Sequence, residues 1–526
     1  MSQRPLRRVL VANRGEIAVR VLRACRELGL ETVAVASDAD LDAPHTRLAD
    51  RTERLGPADP RESYLHQDRL IDAARRSGAD AVHPGYGFLA ESAAFADAVA
   101  GAGLRFVGPP GAVIARLGDK TAARAIAERA GVPVVPGFVP AGGRPATMKS
   151  TPGGRAGGGR PDAFAAGAER LGYPLLVKAA AGGGGRGMRI VERADGLRGA
   201  LESAEREARA AFGDGRLFLE RQLAEVRHVE VQIVADGRGQ TVALGERECS
   251  VQRRHQKLIE EAPSSRVDPA GRAELAAAAV AVAKAAGYVN AGTVEFLLDA
   301  GGRFYFLEVN TRLQVEHPVT ELVAGVDLVQ AQLRIAAGEP LDAAGIPPAG
   351  AAAPRGHALE CRVCAEDPAN GFRPSPGPIL VLDEPAGPWV RVDSGIREGW
   401  HVPAAYDSLL AKVIVWDRTR AGAVARMRQA LARFVILGCG TNLEFLRDVI
   451  AHDAFRRAET TTDFLDRHFA GWQPHPSPRA LAVAAAIAST RSRPAAQPSS
   501  AAGGAEPAAW DPWECASGWR MDGPHG

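Results

Sequence analysis

The chain has 526 residues, 46% hydrophobic and 24% charged, and its 64 basic and 62 acidic side chains leave a net charge of +2. This is the profile of a soluble globular protein of roughly three or four domains, and it excludes a wholly disordered or collagen-like chain. The charge balance gives no general attraction to nucleic acid or an anionic bilayer, and no apolar run reaches the roughly 18 residues that a membrane span needs. Six cysteines without paired spacing fit a reducing compartment. A strand pattern that starts within the first ten residues leaves no room for a secretory leader, so a cytoplasmic location is expected.

The amino-terminal elements alternate. A strand at Val9–Ala12 is followed by an amphipathic helix at Glu16–Leu28 and a valine-rich strand at Thr32–Ala36, with further strands at Ala81–His83 and Phe106–Gly108. Such alternation predicts a doubly wound α/β unit. The turn after the first strand reads Asn13-Arg14-Gly15-Glu16 and not G-x-G-x-x-G, which argues against a dinucleotide ligand. His83–Phe88 reads as a strand end turning sharply through two glycines, a structural use. A helix at Thr121–Ala130 leads into the Gly/Arg/Pro-rich insert Ala141–Pro161, which predicts a mobile surface loop and lacks the aromatic residues that stack on bases. Mixed α/β pattern runs from Pro174 to about Pro340. The linker Ala344–Arg355 then precedes a β-rich region to about Leu465, a helix-prone stretch at Arg479–Thr490, and a Pro/Ala/Ser/Gly-rich tail bearing Trp510, Trp513 and Trp519.

Of the 64 basic residues only Lys120, Lys149, Lys178, Lys257, Lys284 and Lys412 are lysine. Where arginine supplies the generic positive charge, a retained lysine marks a place that needs a compact ammonium. Lys178 ends an apolar strand and is followed by Gly182–Gly185 and Gly187, so backbone N–H groups can approach a phosphate that the ammonium neutralises. The spacing is not that of a P-loop. Gly292–Asn310 reads as a hairpin of strands Thr293–Leu298 and Arg303–Glu308. With Leu298 opposite Arg303, Glu295 faces Phe306 and Glu308 is its diagonal neighbour on the same face. Two carboxylates with Asn310 beyond them form an all-oxygen set suited to Mg²⁺ bridging phosphates. The dense polar runs Asn310–Pro318 and Arg253–Lys257 add an anion site. Cys361 and Cys364 form a lone C-x-x-C, too few ligands for a structural zinc.

Taken together, Ala12–Ala18, His83–Leu89, Gly118–Lys120, the glycine loop, Gln252–Lys257, Glu308–Pro318 and Glu360–Arg362 resemble the biotin carboxylase family of the ATP-grasp superfamily, in order from about Leu6 to Leu465. The resemblance implies an amino-terminal domain over 5–119, an ATP-grasp domain over 120–343 with a mobile lid at about 134–222, and a β-rich carboxyl-terminal domain over 356–465, in all a mixed α/β and α+β fold. It implies that ATP phosphorylates bicarbonate to carboxyphosphate, whose CO₂ passes to biotin on a carrier, the first half-reaction of an acyl-CoA carboxylase. Lys120, Lys178, Gly184 and Gly185 would hold phosphates. Glu220, Arg221, Gln222 and Leu223 would line the adenine pocket, with His228, His255 and Glu295 also at the nucleotide. Glu295, Glu308 and Asn310 would bind Mg²⁺ or Mn²⁺, and Lys257, Arg312 and Val315 bicarbonate. Glu316 would be the general base and Arg362 would stabilise the biotin enolate.

Implied partners are a biotin carboxyl carrier, a carboxyltransferase subunit and a second copy of the chain or a larger complex. No role falls to Lys149, Lys284 or Lys412. Two departures from the family pattern are Ala181, where the loop usually opens on Gly, and Arg221, where Lys is usual. The rival readings are a carbamoyl-phosphate-type ATP-grasp ligase and an assembly subunit without ATPase activity. Met148-Lys149 is the chain's one Met-Lys pair and no Met-Lys-Met occurs, so the biotin is expected on a separately supplied carrier.

Overall fold

The strand Arg8–Val11 and the strand Glu31–Ser37 are almost continuously buried runs, as strands covered on both faces must be. In the computed structural model they lie in a five-stranded parallel sheet in the order Arg51–Gly56, Glu31–Ser37, Arg8–Val11, Ala81–His83, Arg105–Phe106. The structure describes residues 5–140, 160–182, 187–348, 350 and 353–475. The sheets and helices of the fold all belong to the unit Met1–Gln473. Most of the insert Ala141–Pro161 lies outside the described residues, as do Gly184, Gly185, the stretch Arg479–Thr490 and the tail with its tryptophans. No helix among the described residues is long and apolar enough to cross a membrane.

The turn after the first strand is an internal clamp. Asn13 Nδ2 donates to the carbonyls of Pro84 and Tyr86, each at 2.7 Å. The clamped loop bends through Gly85 and Gly87 at φ 63° and 69°. A Cβ on Gly85 would lie 2.9 Å from Asn13 Nδ2, so this loop needs glycine both for its backbone and for its space.

The central element is an eight-stranded antiparallel sheet in the order Phe304–Asn310, Asn290–Leu298, Arg227–Ala235, Thr241–Arg253, Gln256–Ala262, His357–Cys364, Leu409–Asp417, Val390–Ser394. It passes without a break from the strands of the middle segment into those of the carboxyl-terminal segment, where Gln256–Ala262 pairs with His357–Cys364. Alternation divides its faces. Val229, Val231, Val294 and Phe296 share one apolar core with Leu275, Ala279 and Val282 of the helix Pro269–Ala286. On the opposite face Glu308, Glu295, Glu230 and Arg247 are successive cross-strand neighbours. Farther along, Arg362, Lys412 and Asp393 form a second row. The short helix His317–Ala324 packs over this polar face, against strands from both halves of the sheet.

The hairpin register differs from the sequence expectation. Leu298 pairs with Phe304, not Arg303, and Glu295 stands directly opposite Glu308, not Phe306. A bulge between Glu295 and Phe296 shifts the register, and a bulge leaves no mark in a two-residue alternation. A smaller antiparallel sheet in the order Gly137–Phe138, Leu217–Arg221, Leu175–Ala179, Arg189–Val191 carries Glu220 and Lys178. Ala181 makes an isolated bridge to Asp119, and the left-handed backbone falls one residue later at Gly182 (φ 91°), so alanine is accommodated at the start of the loop.

Asn13→Ala removes both donors of the clamp. It is expected to lower the unfolding free energy by about 1–3 kcal/mol, read as a fall in the urea midpoint with an unchanged slope.

Candidate active site

The polar face of the large sheet concentrates charge where water is excluded. Lys257, at the start of its strand, has a side chain 11% exposed and donates to three carboxylates: Glu230, Glu295 Oε1 at 2.8 Å and Glu316 Oε1 at 2.7 Å. Burial opposes the ammonium, yet Glu230, Glu295 and Glu316 overcome it and hold the Lys257 pKa well above the usual lysine value. Burial likewise opposes the charge of Glu295, which Lys257 and His228 nonetheless hold well below the ordinary carboxylate range. Arg247 is fully buried and braces the set from behind. It donates to Glu230 Oε1 at 2.5 Å, Gln232 Oε1 at 2.8 Å, Thr293 Oγ1 at 3.0 Å and Thr320 Oγ1 at 2.9 Å.

Glu316 stands at the amino-terminal cap of the helix His317–Ala324, with each oxygen held by a different cation. Lys257 takes Oε1, and Arg362 donates to Oε2 at 2.9 Å. Against complete burial, Lys257, Arg362 and Arg247 keep its pKa well below that of a free glutamate. Arg362 also donates through Nε to Glu260 Oε1 at 2.6 Å. Burial lifts Glu260 to about 7 although Arg362 pulls it down.

Toward the edge of the sheet, Lys120 binds Glu308. His228 Nε2 lies 2.8 Å from Glu295 Oε2, and Asn310 Nδ2 and Gln314 Nε2 donate to Glu295 Oε1 at 2.7 and 3.1 Å. Arg312 donates to Asn310 Oδ1 at 3.1 Å and Gln314 Oε1 at 2.7 Å, and pairs with Glu91 at 3.1 Å. On the smaller sheet Lys178 is ion-paired with Glu220, which also accepts from Arg124 at 3.2 Å. The run Arg253–Lys257 is a hairpin turn with Arg254 and His255 at φ 47° and 67°. It does not act as one anion patch: the Arg253 guanidinium stacks 4.2 Å over Phe372 while Lys257 enters the cluster. Desolvation and the charges of Lys178 and His228 lower the His255 pKa. Arg221 points elsewhere: its guanidinium donates to the Leu171 carbonyl at 2.8 and 3.2 Å, and its main-chain N–H donates to the Pro136 carbonyl at 2.8 Å.

The donor set for a divalent cation fits Mg²⁺. Glu295 and Glu308 face each other across adjacent strands, Asn310 adds an amide oxygen, and all are hard oxygen ligands. A second group of carboxylates, Glu230 and Glu295 with His228, and Glu230 and Glu316 with Cys249, is close enough to suggest metal. The Lys257 ammonium already supplies positive charge at its centre.

Comparisons with known proteins decide between the ATP-grasp readings. Residues 119–344 match the carbamoyl-phosphate synthase L chain ATP-binding domain, while residues 5–114 and 360–467 match the biotin carboxylase amino-terminal and carboxyl-terminal domains. The chain belongs to the biotin carboxylase family. A biotin carboxylase of Pseudomonas aeruginosa is 47% identical over 462 residues, covering 88% of this chain and 98% of that protein. The methylcrotonoyl-CoA carboxylase α subunit of Oryza sativa is 46% identical over 465 residues, 88% of this chain but 60% of that longer protein. The biotin carboxylase domain dimer of Hydrogenobacter thermophilus 2-oxoglutarate carboxylase, solved with MgADP, ADP and bicarbonate, superposes with a TM-score of 0.82 at 41% identity, covering 90% of this chain and all of that domain. The chain is accordingly an ATP-dependent ligase that carboxylates biotin, using ATP and Mg²⁺.

Within this biotin carboxylase the structure adds residues that the sequence reading passed over. Glu230, Arg247, Gln314 and Glu260 hold the named residues in place. For Glu230 the sequence signal is a charged residue alternating with valine inside a strand, as in His228-Val229-Glu230-Val231-Gln232, whereas Arg247 and Glu260 stand beside other charged residues and Gln314 lies in the loop before the helix His317–Ala324.

The pH response of a Lys257→Met variant tests the cluster. In the parent, Glu295 and Glu316 titrate below the free-glutamate value and Lys257 above the free-lysine value, so their contribution to stability is fully present between about pH 5 and 10. Without the ammonium, burial raises the folded-state pKa of the three carboxylates. The native state then binds more protons than the unfolded one, and stability falls as pH rises. The variant is expected to be about 3–5 kcal/mol less stable at pH 7, with a melting temperature that declines from pH 5 to 8 more steeply than the parent's, in which Glu260, lifted to about 7, already gives a shallower decline.

Proposed function

We propose that the Lys257–Glu316–Arg362 arrangement is the bicarbonate and biotin chemistry centre of this enzyme. The observation that carries the reading is one buried carboxylate gripped by two cations, at 2.7 Å and 2.9 Å. An anion that enters between them shares both cations, loosens their hold on Glu316 and thereby raises its basicity. In this reading Lys257, Arg312 and the Val315 N–H bind bicarbonate, and Glu316 removes its proton. The resulting oxyanion attacks the γ-phosphorus of ATP, the β–γ bridge bond breaks, and carboxyphosphate and ADP form. Carboxyphosphate then releases CO₂ and phosphate. Biotin gives up its N1′ proton to the phosphate just released, Arg362 stabilises the enolate, and N1′ takes up the CO₂. Each step depends on placed charge more than on covalent participation by the protein.

Lys120 and Lys178 serve the phosphates, with Gly184 and Gly185 closing over them. Glu220, Arg221, Gln222 and Leu223 border the adenine, and His228 and His255 stand beside the nucleotide. A Mg²⁺ ion held by Glu295, Glu308 and Asn310 would neutralise charge on the transferring phosphate. The paired state of Lys120 with Glu308 supports this assignment, because phosphate can take over the lysine and the metal the carboxylate, and the Lys178–Glu220 pair sets a phosphate lysine beside the adenine border. The biotin arrives on a carrier protein or domain, and a carboxyltransferase passes the carboxyl group to an acyl-CoA. The rice relative's name and the dimeric 2-oxoglutarate carboxylase domain support such partners and a homodimer. The domain limits near residues 119 and 343 belong to the same proposal.

Purified protein is expected to hydrolyse ATP only with bicarbonate and Mg²⁺, to speed up with free biotin, and to form N-carboxybiotin. Hydrolysis that biotin leaves unchanged, with no carboxybiotin, would sink the biotin reading and restore the carbamoyl-phosphate-type ligase. Glu316→Gln is expected to cut kcat by about 10²–10⁴ while leaving the KM for ATP nearly unchanged. Glu308→Ala is expected to raise the Mg²⁺ concentration needed for half-maximal rate, and an unaltered requirement would remove Glu308 from the metal site.

A further inference from the structure

Lys412 is one of six lysines in the chain and has no role in the reaction as described above. It is fully buried, and its ammonium donates to the Val315 carbonyl at 2.8 Å. Its surroundings hold more negative than positive charge. Glu16 Oε2 lies 3.4 Å away and Asp393 Oδ2 3.7 Å away, Glu360 acts on it through space, and Arg391 opposes it. Asp393 is already held by the Arg391 fork at 2.8 and 2.7 Å, and burial pushes the Glu360 pKa well up and so disfavours its charge, which leaves Glu16 as the nearest carboxylate to balance Lys412. The Tyr86 ring closes the space, with its centroid 6.0 Å from the ammonium. Burying a lysine this completely is costly unless its donors are used, and one of them is spent on a main-chain oxygen.

The choice of that oxygen matters. The Val315 carbonyl belongs to the peptide that joins Val315 to Glu316. Fixing this peptide orients the residue whose N–H faces bicarbonate and the residue whose carboxylate removes its proton. Lys412 is also the direct cross-strand neighbour of Arg362, which holds the Glu316 side chain at 2.9 Å. Two adjacent strands therefore grip Glu316 at both ends, Arg362 by its carboxylate and Lys412 by its backbone.

We propose that Lys412 is a positioning residue for bicarbonate: by holding the Val315–Glu316 peptide it sets the placement of the Val315 N–H and the Glu316 carboxylate. This rests on the assignment of Val315 and Glu316 to bicarbonate. Glu16 enters only as the counter-charge that lets the ammonium remain buried.

The test compares Lys412→Met, Glu16→Gln and the double variant in the full-length enzyme, with melting curves to follow the fold. Bicarbonate-dependent ATP hydrolysis is measured against bicarbonate and against ATP separately. Lys412→Met is expected to raise the KM for bicarbonate at least about tenfold, the worth of a lost charge-assisted hydrogen bond, with the KM for ATP within about twofold of the parent. The double variant leaves no unpaired buried charge, so it is the arm to read should Lys412→Met fail to fold, and it is expected to keep the raised bicarbonate KM. Glu16→Gln alone retains the bond to Val315 and is expected to keep the parent's KM. An unchanged bicarbonate KM in Lys412→Met overturns the inference. A return to the parent value in the double variant, or an equal rise in Glu16→Gln, overturns it as well, because the effect would then follow charge balance and not the Val315 peptide. Hydrolysis by the parent that needs no bicarbonate would overturn the functional reading itself, an outcome separable from the other three.

Discussion

A single ammonium placed among three buried carboxylates sets the terms for the rest of the active site. Lys257 bonds Glu230, Glu295 and Glu316 at once, and each of those carboxylates has a second cationic partner: Arg247, His228 and Arg362 respectively. Removing water from such a group is tolerable only when every charge is countered and every donor used. The arrangement is therefore rigid in the resting protein and selective for what can enter it. A small anion with several acceptor oxygens can take up the cations' donors, whereas an apolar molecule would leave them unpaired.

The eight-stranded sheet is the scaffold that permits this. Its apolar face carries the core with the helix Pro269–Ala286, which frees the other face for charged side chains from all eight of its strands. Continuity across the two segments has a mechanistic consequence. Glu316 arises beside the ATP-grasp strands, yet Arg362 and Lys412 come from strands of the carboxyl-terminal segment. Gly395 seals the same region against the amino-terminal unit, where a Cβ would lie 2.4 Å from the Glu16 nitrogen. Glu316 is thus held jointly by separate parts of the chain, and a shift of one against another would be felt at its carboxylate.

Much of this was legible in the sequence. The alternating first unit, the dense run Asn310–Pro318 and the scarcity of lysine pointed to the right elements, and Lys120, Lys178 and Lys257 all carry ion pairs in the folded chain. What escaped was local geometry and long-range pairing. The Glu295–Glu308 register depended on a bulge, which alternation does not encode. The partners of Glu230 and Arg247 lie on neighbouring strands, which the sequence does not bring together. Lys412 was conspicuous by type but unreadable by position, since the carbonyl that it binds is 97 residues away. Within the basic run Arg253–Lys257, strand alternation and the turn send the side chains to different surroundings, which composition alone does not show.

The central claim is that bicarbonate, bound between the cations that hold Glu316, attacks ATP directly. Enzyme turned over with ¹⁸O-labelled bicarbonate, ATP and biotin tests this through the oxygen content of the phosphate released. If carboxyphosphate forms, the attacking oxygen remains on phosphorus, and the ³¹P resonance of the released phosphate shows one ¹⁸O derived from bicarbonate. Phosphate free of the label during biotin-dependent turnover would mean that water attacks the nucleotide, and would contradict the account.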